Sequence, residues 1–346
     1  MEKSKEYNNI KLIISIISTI INLVIIFILG FSKIGIYIKN ISGNNIFYYG
    51  LITIIIFFIS EIGFSYYSGY YLEKKNNLSN ENIKKWIIKT LKEFGIGLVI
   101  GEILIVSLYF FIKISKDRWW IYFYIFMMII NIILGVIAPT VILPLFYKFK
   151  ELDNENLKSK ILDLTSKVKV KLVGIYKFDL SKETKKANAA FTGLGKNKRI
   201  IIADNLLNEF SDDEIVAVFA HEMGHFVKKH ILKQVVISSV IMFILLFLIN
   251  SYFYLDYNNF IVIYQVGFYF FIFQLFISFL LNLYSRKNEK EADLYAKEIM
   301  GTGEYLIEAL KKLSKQNLAD ENPNKIIEFL TYSHPSIGTR INYLKE

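Results

Sequence analysis

His221, Glu222 and His225 stand in the order His-Glu-x-x-His, and that spacing could do metal chemistry. On a helix, residues i and i+4 share a face, so both imidazoles can reach one ion. Glu222, beside the first histidine, can take a proton from a water that the metal activates. A catalytic zinc uses three protein ligands and keeps one position open, so a third ligand must come from elsewhere in the chain. The chain has no cysteine, which leaves His, Glu or Asp and also removes disulfides and thiol nucleophiles.

The elements around the motif suggest where that ligand lies. Ser211-Asp-Asp-Glu214 reads as a capping box that starts the motif helix. No break signal separates that helix from an apolar run at 231–254. A six-residue link, 255–260, leads to a second apolar run at 261–284, and the sequence Ser285-Arg-Lys-Asn-Glu-Lys-Glu-Ala-Asp293 follows. His225 lies 30 residues before Leu255, and Glu289 lies 29 residues after Phe260. In an antiparallel helical pair, equal arms at about 1.5 Å per residue bring His225 and Glu289 to one depth. Glu289 is therefore the expected third ligand. Asp293, one turn on, shares its face and can hydrogen-bond a ligand histidine from behind. Glu291 points elsewhere and reads as a solvated charge.

The rest of the 346 residues fits a membrane protein: 53% are hydrophobic, and they lie in long blocks. Four further spans are expected before the motif, at 12–29, 46–71, 95–112 and 119–146. Pro139 and Pro144 should bend or end the fourth. Glu61 and Glu102 fall inside spans, where a carboxyl group is costly. They line a water-filled chamber or serve as protonated or hydrogen-bonded packing residues. A lysine-rich segment at 73–93 contains an amphipathic helix around Trp86.

Residues 148–230 are mostly soluble in character, with a helix at 155–169 and strands at 172–178, 188–192 and 199–203. The last two pair through a turn at 193–197. The tail, 285–346, is polar and helical, with an apolar stripe at Leu306, Leu310 and Leu313. Four parts result: 1–147, 148–230, 231–284 and 285–346. The chain is thus mainly α and polytopic, with about six spans and an α+β part carrying the motif.

The net charge of +10 is not paired with any nucleic-acid motif, and lysines flanking spans account for it by meeting anionic lipid. Lysine and arginine concentrate in the segments that are inside when the N-terminus is inside, namely 1–11 and 74–92. The soluble part and the tail are then cytoplasmic as well.

The ordered set Leu78-Ser-Asn80, Leu143-Pro-Leu-Phe146, Ala187-Asn-Ala-Ala190, His221-Glu-Met-Gly-His225, Glu289-Lys-Glu-Ala-Asp293 and Ser333-His-Pro335 with Arg340 resembles the type I CAAX prenyl proteases, membrane zinc metalloendopeptidases of the gluzincin type. The resemblance runs from about Ser65 to Leu344. It implies a helical barrel around a large chamber, closed on the cytosolic side by a zincin-like domain. It implies one zinc per chain on His221, His225 and Glu289, with Glu222 activating water. It implies that Asn188 and Ala189 lie on a strand edge that aligns the substrate chain, and that His334 and Arg340 stabilise the oxyanion or hold the substrate. Without it, His334 reads as a surface residue at a helix start.

The expected substrate is a peptide or protein, lipidated or membrane-inserted. Eukaryotic members have five spans before the soluble part and this chain has four, so a smaller or partly open chamber is expected. The alternatives are an HtpX-type quality-control protease, which shares the zinc signature, and a non-catalytic receptor or scaffold. The Ser-His-Pro and Leu-Pro-Leu-Phe pieces favour the CAAX-type branch, and no catalytic residue is lost.

Overall fold

The computed structural model describes residues 2–168, 172–192 and 199–346. Among them, six helices are long and apolar enough to cross a membrane, four of them before the sheet. Helix α1 (Glu2–Phe31) is followed, after the Ser32 cap, by the short α2 (Lys33–Ile41). Helix α3 (Ile46–Ser65) passes through a π turn into α4 (Leu72–Lys75). Helix α5 (Ile83–Ile114), capped by Asn82, joins the amphipathic segment around Trp86 and the third span into one rod. Helix α6 (Trp119–Ile137) loses its regular ladder at Ala138, where Pro139 removes a donor, and resumes as α7 (Leu143–Phe146).

Of the two glutamates in the spans, Glu61 proves to be a packing residue. It accepts from Ser18 at 2.8 Å and Asn22 at 2.7 Å and ties α3 to α1. Glu102 is buried, and neither carboxylate oxygen is hydrogen-bonded among the described residues.

The sheet has the order β1-β2-β4-β3. Strands β2 (Gly174–Phe178), β3 (Ala189–Thr192) and β4 (Arg199–Ala203) correspond to the three expected, and β1 (Phe149–Glu151) is an additional edge. Helix α8 (Glu155–Lys167) precedes β2. The expected helix end at Lys169 and the turn at 193–197 lie outside the described residues. After α9 (Asp204–Glu209), the motif helix α10 (Asp212–Val227) starts at the expected capping box, with Ser211 and Glu214 exchanging hydrogen bonds. Its apolar face, Ile215, Phe219 and Met223, packs with Leu157 and Ile161 of α8 and Ile200 and Ile202 of β4 in one core. Each such side chain contributes about 1.5–3 kcal/mol by leaving water.

The expectation that α10 runs on into the fifth span fails. The helix stops at Val227, Lys229 adopts a left-handed backbone (φ 57°), and α11 (His230–Tyr252) begins anew. By contrast α12 (Val262–Met300) is continuous from the sixth span into the tail. The chain closes with α13 (Glu304–Asn317), α14 (Lys325–Thr331) and α15 (Ile337–Lys345).

Candidate metal centre

Helices α10 and α12 approach closely because their contact residues are small. Ala220 and Ala292 are wholly buried, and a Cβ added to Gly224 would stand 2.9 Å from the Ala292 Cα. This approach carries Glu289, one turn before Ala292, to the face that bears both motif histidines. His221 Nε2 lies 3.2 Å from His225 Nε2. The Glu289 carboxylate is 3.4 Å from the first and 3.2 Å from the second. One ligand atom from each residue falls within 4.8 Å of the others, a spacing that could hold a metal ion.

The donor set fits zinc. Two imidazole nitrogens and a carboxylate are ligands that zinc accepts. Glu289 Oε2 is buried and has no hydrogen-bond donor among the described residues, as expected of an atom meant for a cation. Glu222 is half-buried, and its carboxylate forms no hydrogen bond or ion pair among the described residues, so it remains available as a base.

Each motif histidine is held from behind through Nδ1. Asp293, fully buried, lies 2.7 Å from His221 Nδ1. Burial alone would lower the His221 pKa, but the Asp293 and Glu289 carboxylates beside the ring outweigh it and push it up to about 9. His225 Nδ1 meets a different partner: His230 Nδ1, 3.1 Å away, whose own Nε2 is 3.1 Å from Glu291 Oε2. Glu291, expected as a solvated charge, is thus paired with a buried histidine.

The tail reaches the same site. His334 is well exposed and places Nε2 3.3 Å from Glu289 Oε1. Arg340, expected to stabilise the oxyanion or hold the substrate, is largely buried, with Nη1 3.8 Å from Glu289 Oε2. It forks onto Asp293, with Nε donating to Oδ2 at 2.8 Å and Nη2 to Oδ1 at 2.6 Å. Tyr343 donates to the same carboxylate at 2.7 Å. Ala189 lies on β3, the outer strand of the sheet, and the exposed Asn188 precedes it, its carbonyl accepting from Ala203 N–H. The Phe191 ring of β3 packs at a tilt, 5.4 Å between centroids, against Phe226, the residue after His225, which sets this strand beside the centre.

Sequence reasoning missed Gly224, His230 and Tyr343. The glycine inside a catalytic motif was a readable sign of close helix approach. His230 carried no sign, because on an unbroken helix it would point away from His225.

Residues 151–346 match the model of peptidase family M48, and residues 1–148 match the model described as CAAX prenyl protease N-terminal, five membrane helices. CAAX prenyl protease 1 of Saccharomyces cerevisiae is 33% identical over 311 residues, covering 82% of this chain and 68% of the yeast protein. An uncharacterized metalloprotease of Bacillus subtilis, YhfN, is 28% identical over 290 residues, covering 80% and 68%. The crystal structure of S. mikatae Ste24p superposes with a TM-score of 0.86 at 28% identity, over 99% of this chain and 88% of that one.

Proposed function

We propose, from the premise that the chain belongs to peptidase family M48 and is a membrane metalloendopeptidase, that it cuts membrane-associated peptides at one zinc held by His221, His225 and Glu289. The observation that carries this reading is the convergence of one donor atom from each of these residues, with Glu289 Oε2 accepting no hydrogen bond among the described residues. Zinc bound there would polarise the scissile carbonyl and make water acidic enough to lose a proton near neutral pH.

Glu222 takes the proton of the attacking water and passes it to the departing amine. Asp293 fixes His221 with its Nε2 turned inward. Arg340 and Tyr343 hold Asp293 in turn, so Arg340 acts as a positioning residue. His334, exposed at the rim, donates to the oxygen that gains charge as the carbonyl turns tetrahedral. The outer edge of β3, with Asn188 and Ala189, aligns an extended substrate by strand addition.

In this reading residues 1–147 and 231–284 form the membrane wall, and 148–230 with 285–346 form the catalytic part. The lysine bias of the inner segments supports a cytoplasmic site. A cysteine placed at Asn258 should then react with an impermeant label from outside intact cells and one at Lys311 should not; the reverse pattern would invert the orientation. The named relatives support a prenylated carboxy-terminal peptide as substrate. Matched peptides with and without the prenyl group test this, and equal cleavage of both would favour a quality-control protease.

Glu222→Gln tests the chemistry. It keeps size but removes the proton acceptor. Zinc content and thermal stability should stay at the parent value while peptide cleavage falls by at least about 10²-fold. Cleavage near the parent level would assign the base elsewhere.

A further inference from the structure

We propose that His230 and Glu291 form a positioning relay for His225, setting its tautomer and ring angle so that Nε2 is free for the metal. The inference rests on the reading of His225 as a ligand, and follows from three observations.

The first is proton logic. His225 Nδ1 and His230 Nδ1 are 3.1 Å apart, so one nitrogen must carry the proton and the other must accept it. If the His225 Nε2 lone pair faces the metal, the neutral ring has its proton on Nδ1 and donates to His230. His230 Nδ1 is then bare, its proton resides on Nε2, and that proton points at Glu291 Oε2, 3.1 Å away. A carboxylate oxygen is the acceptor this last step requires, and no other arrangement satisfies both contacts with His225 Nε2 bare.

The second is burial. The His230 side chain is 2% exposed while Glu291 is 38% exposed, so the relay runs from the site to a partly hydrated charge.

The third is the backbone. Residues five apart on one helix are about 140° apart around the axis, so His225 and His230 could not meet on a continuous α10–α11 rod. They meet because the helix breaks and Lys229 turns left-handed. A lysine pays strain in that region with no glycine to relieve it. The break therefore puts His230 at the one place where it touches the ligand.

The spacer also explains why two ligands are held differently. Asp293 shares a face of α12 with Glu289 and reaches His221 directly. Glu291, two residues from Glu289, is rotated about 200° and cannot share that face. An imidazole bridges the gap.

The test is zinc affinity, measured by chelator competition on the purified full-length protein, alongside the melting temperature of the metal-free form. His230→Phe keeps the ring and removes both nitrogens. It should weaken zinc about 10–100-fold, the range for losing an outer partner of a ligand. His230→Gln, whose amide both accepts and donates, should recover part of the loss, and Glu291→Ala should weaken zinc less than His230→Phe. His225→Ala serves as the control. If it loses zinc while His230→Phe binds like the parent, the relay is refuted and the ligand set stands. If His225→Ala itself binds like the parent, the ligand set is refuted. Should His230→Phe fail to fold, parent-like affinity in Glu291→Ala refutes the relay. A metal-free melting temperature that falls while zinc affinity per folded molecule stays unchanged would also refute it, leaving His230 as packing alone.

Discussion

Glu289 of α12 and Glu102 of α5 are buried to nearly the same degree, at 5% and 7% exposure. Both leave carboxylate oxygens without a hydrogen-bond partner among the described residues. Each also belongs to a helix pair that closes at a glycine. Gly224 lets α12 reach α10, and at Gly50 of α3 an added Cβ would stand 2.5 Å from Glu102 Oε2. Their surroundings differ. Three histidine side chains lie within 3.4 Å of the Glu289 carboxylate, and Arg340 lies at 3.8 Å. Among the described residues Glu102 has no such neighbours, and the hydroxyl of Tyr49, beside Gly50, makes no hydrogen bond. Equal burial thus has two meanings. A carboxylate ringed by inward-pointing imidazole nitrogens is one part of a cation site. A carboxyl group packed inside a span is a cost that the bundle carries for another reason.

The sharpest way to break this contrast is to remove each group. Glu289→Ala should bring zinc from about one per chain to a small fraction after dialysis, since an open site cannot spare one of three ligands. Glu102→Gln should leave zinc and cleavage at the parent values. Equal zinc in both variants would remove the distinction between the two carboxylates.

A smaller effect sharpens the contrast inside the site itself. His334→Phe should lower the turnover number by roughly 10²-fold, with zinc content unchanged and peptide affinity little altered. If His334 merely packs at a helix start, the variant loses stability while turnover per folded, zinc-loaded molecule is unchanged. Steady-state kinetics on metal-assayed protein reads the difference.

The parts of this molecule that were legible in the amino-acid order are those set by local physics. Apolar runs long enough to span a bilayer yield six candidate spans because composition and length alone decide them. The capping box at Ser211 and Glu214 and the shared face of His221 and His225 depend only on residues within one or two turns. The pairing of His225 with Glu289 was also within reach from arms of equal length, and it holds although the first arm breaks at Lys229.

What the order could not decide depends on how closely and at what angle separate helices meet. The fork of Arg340 onto Asp293 forms only because α15 packs against α12 and sets the guanidinium beside that carboxylate. Glu61 becomes a tie to Ser18 and Asn22 only once α1 lies against α3. His230 meets His225 because the backbone leaves the helix at Lys229, a bend that no proline or glycine announces. Side-chain partners across helices are chosen by packing among many nearly equal contacts, and that choice exists only when the whole chain is folded.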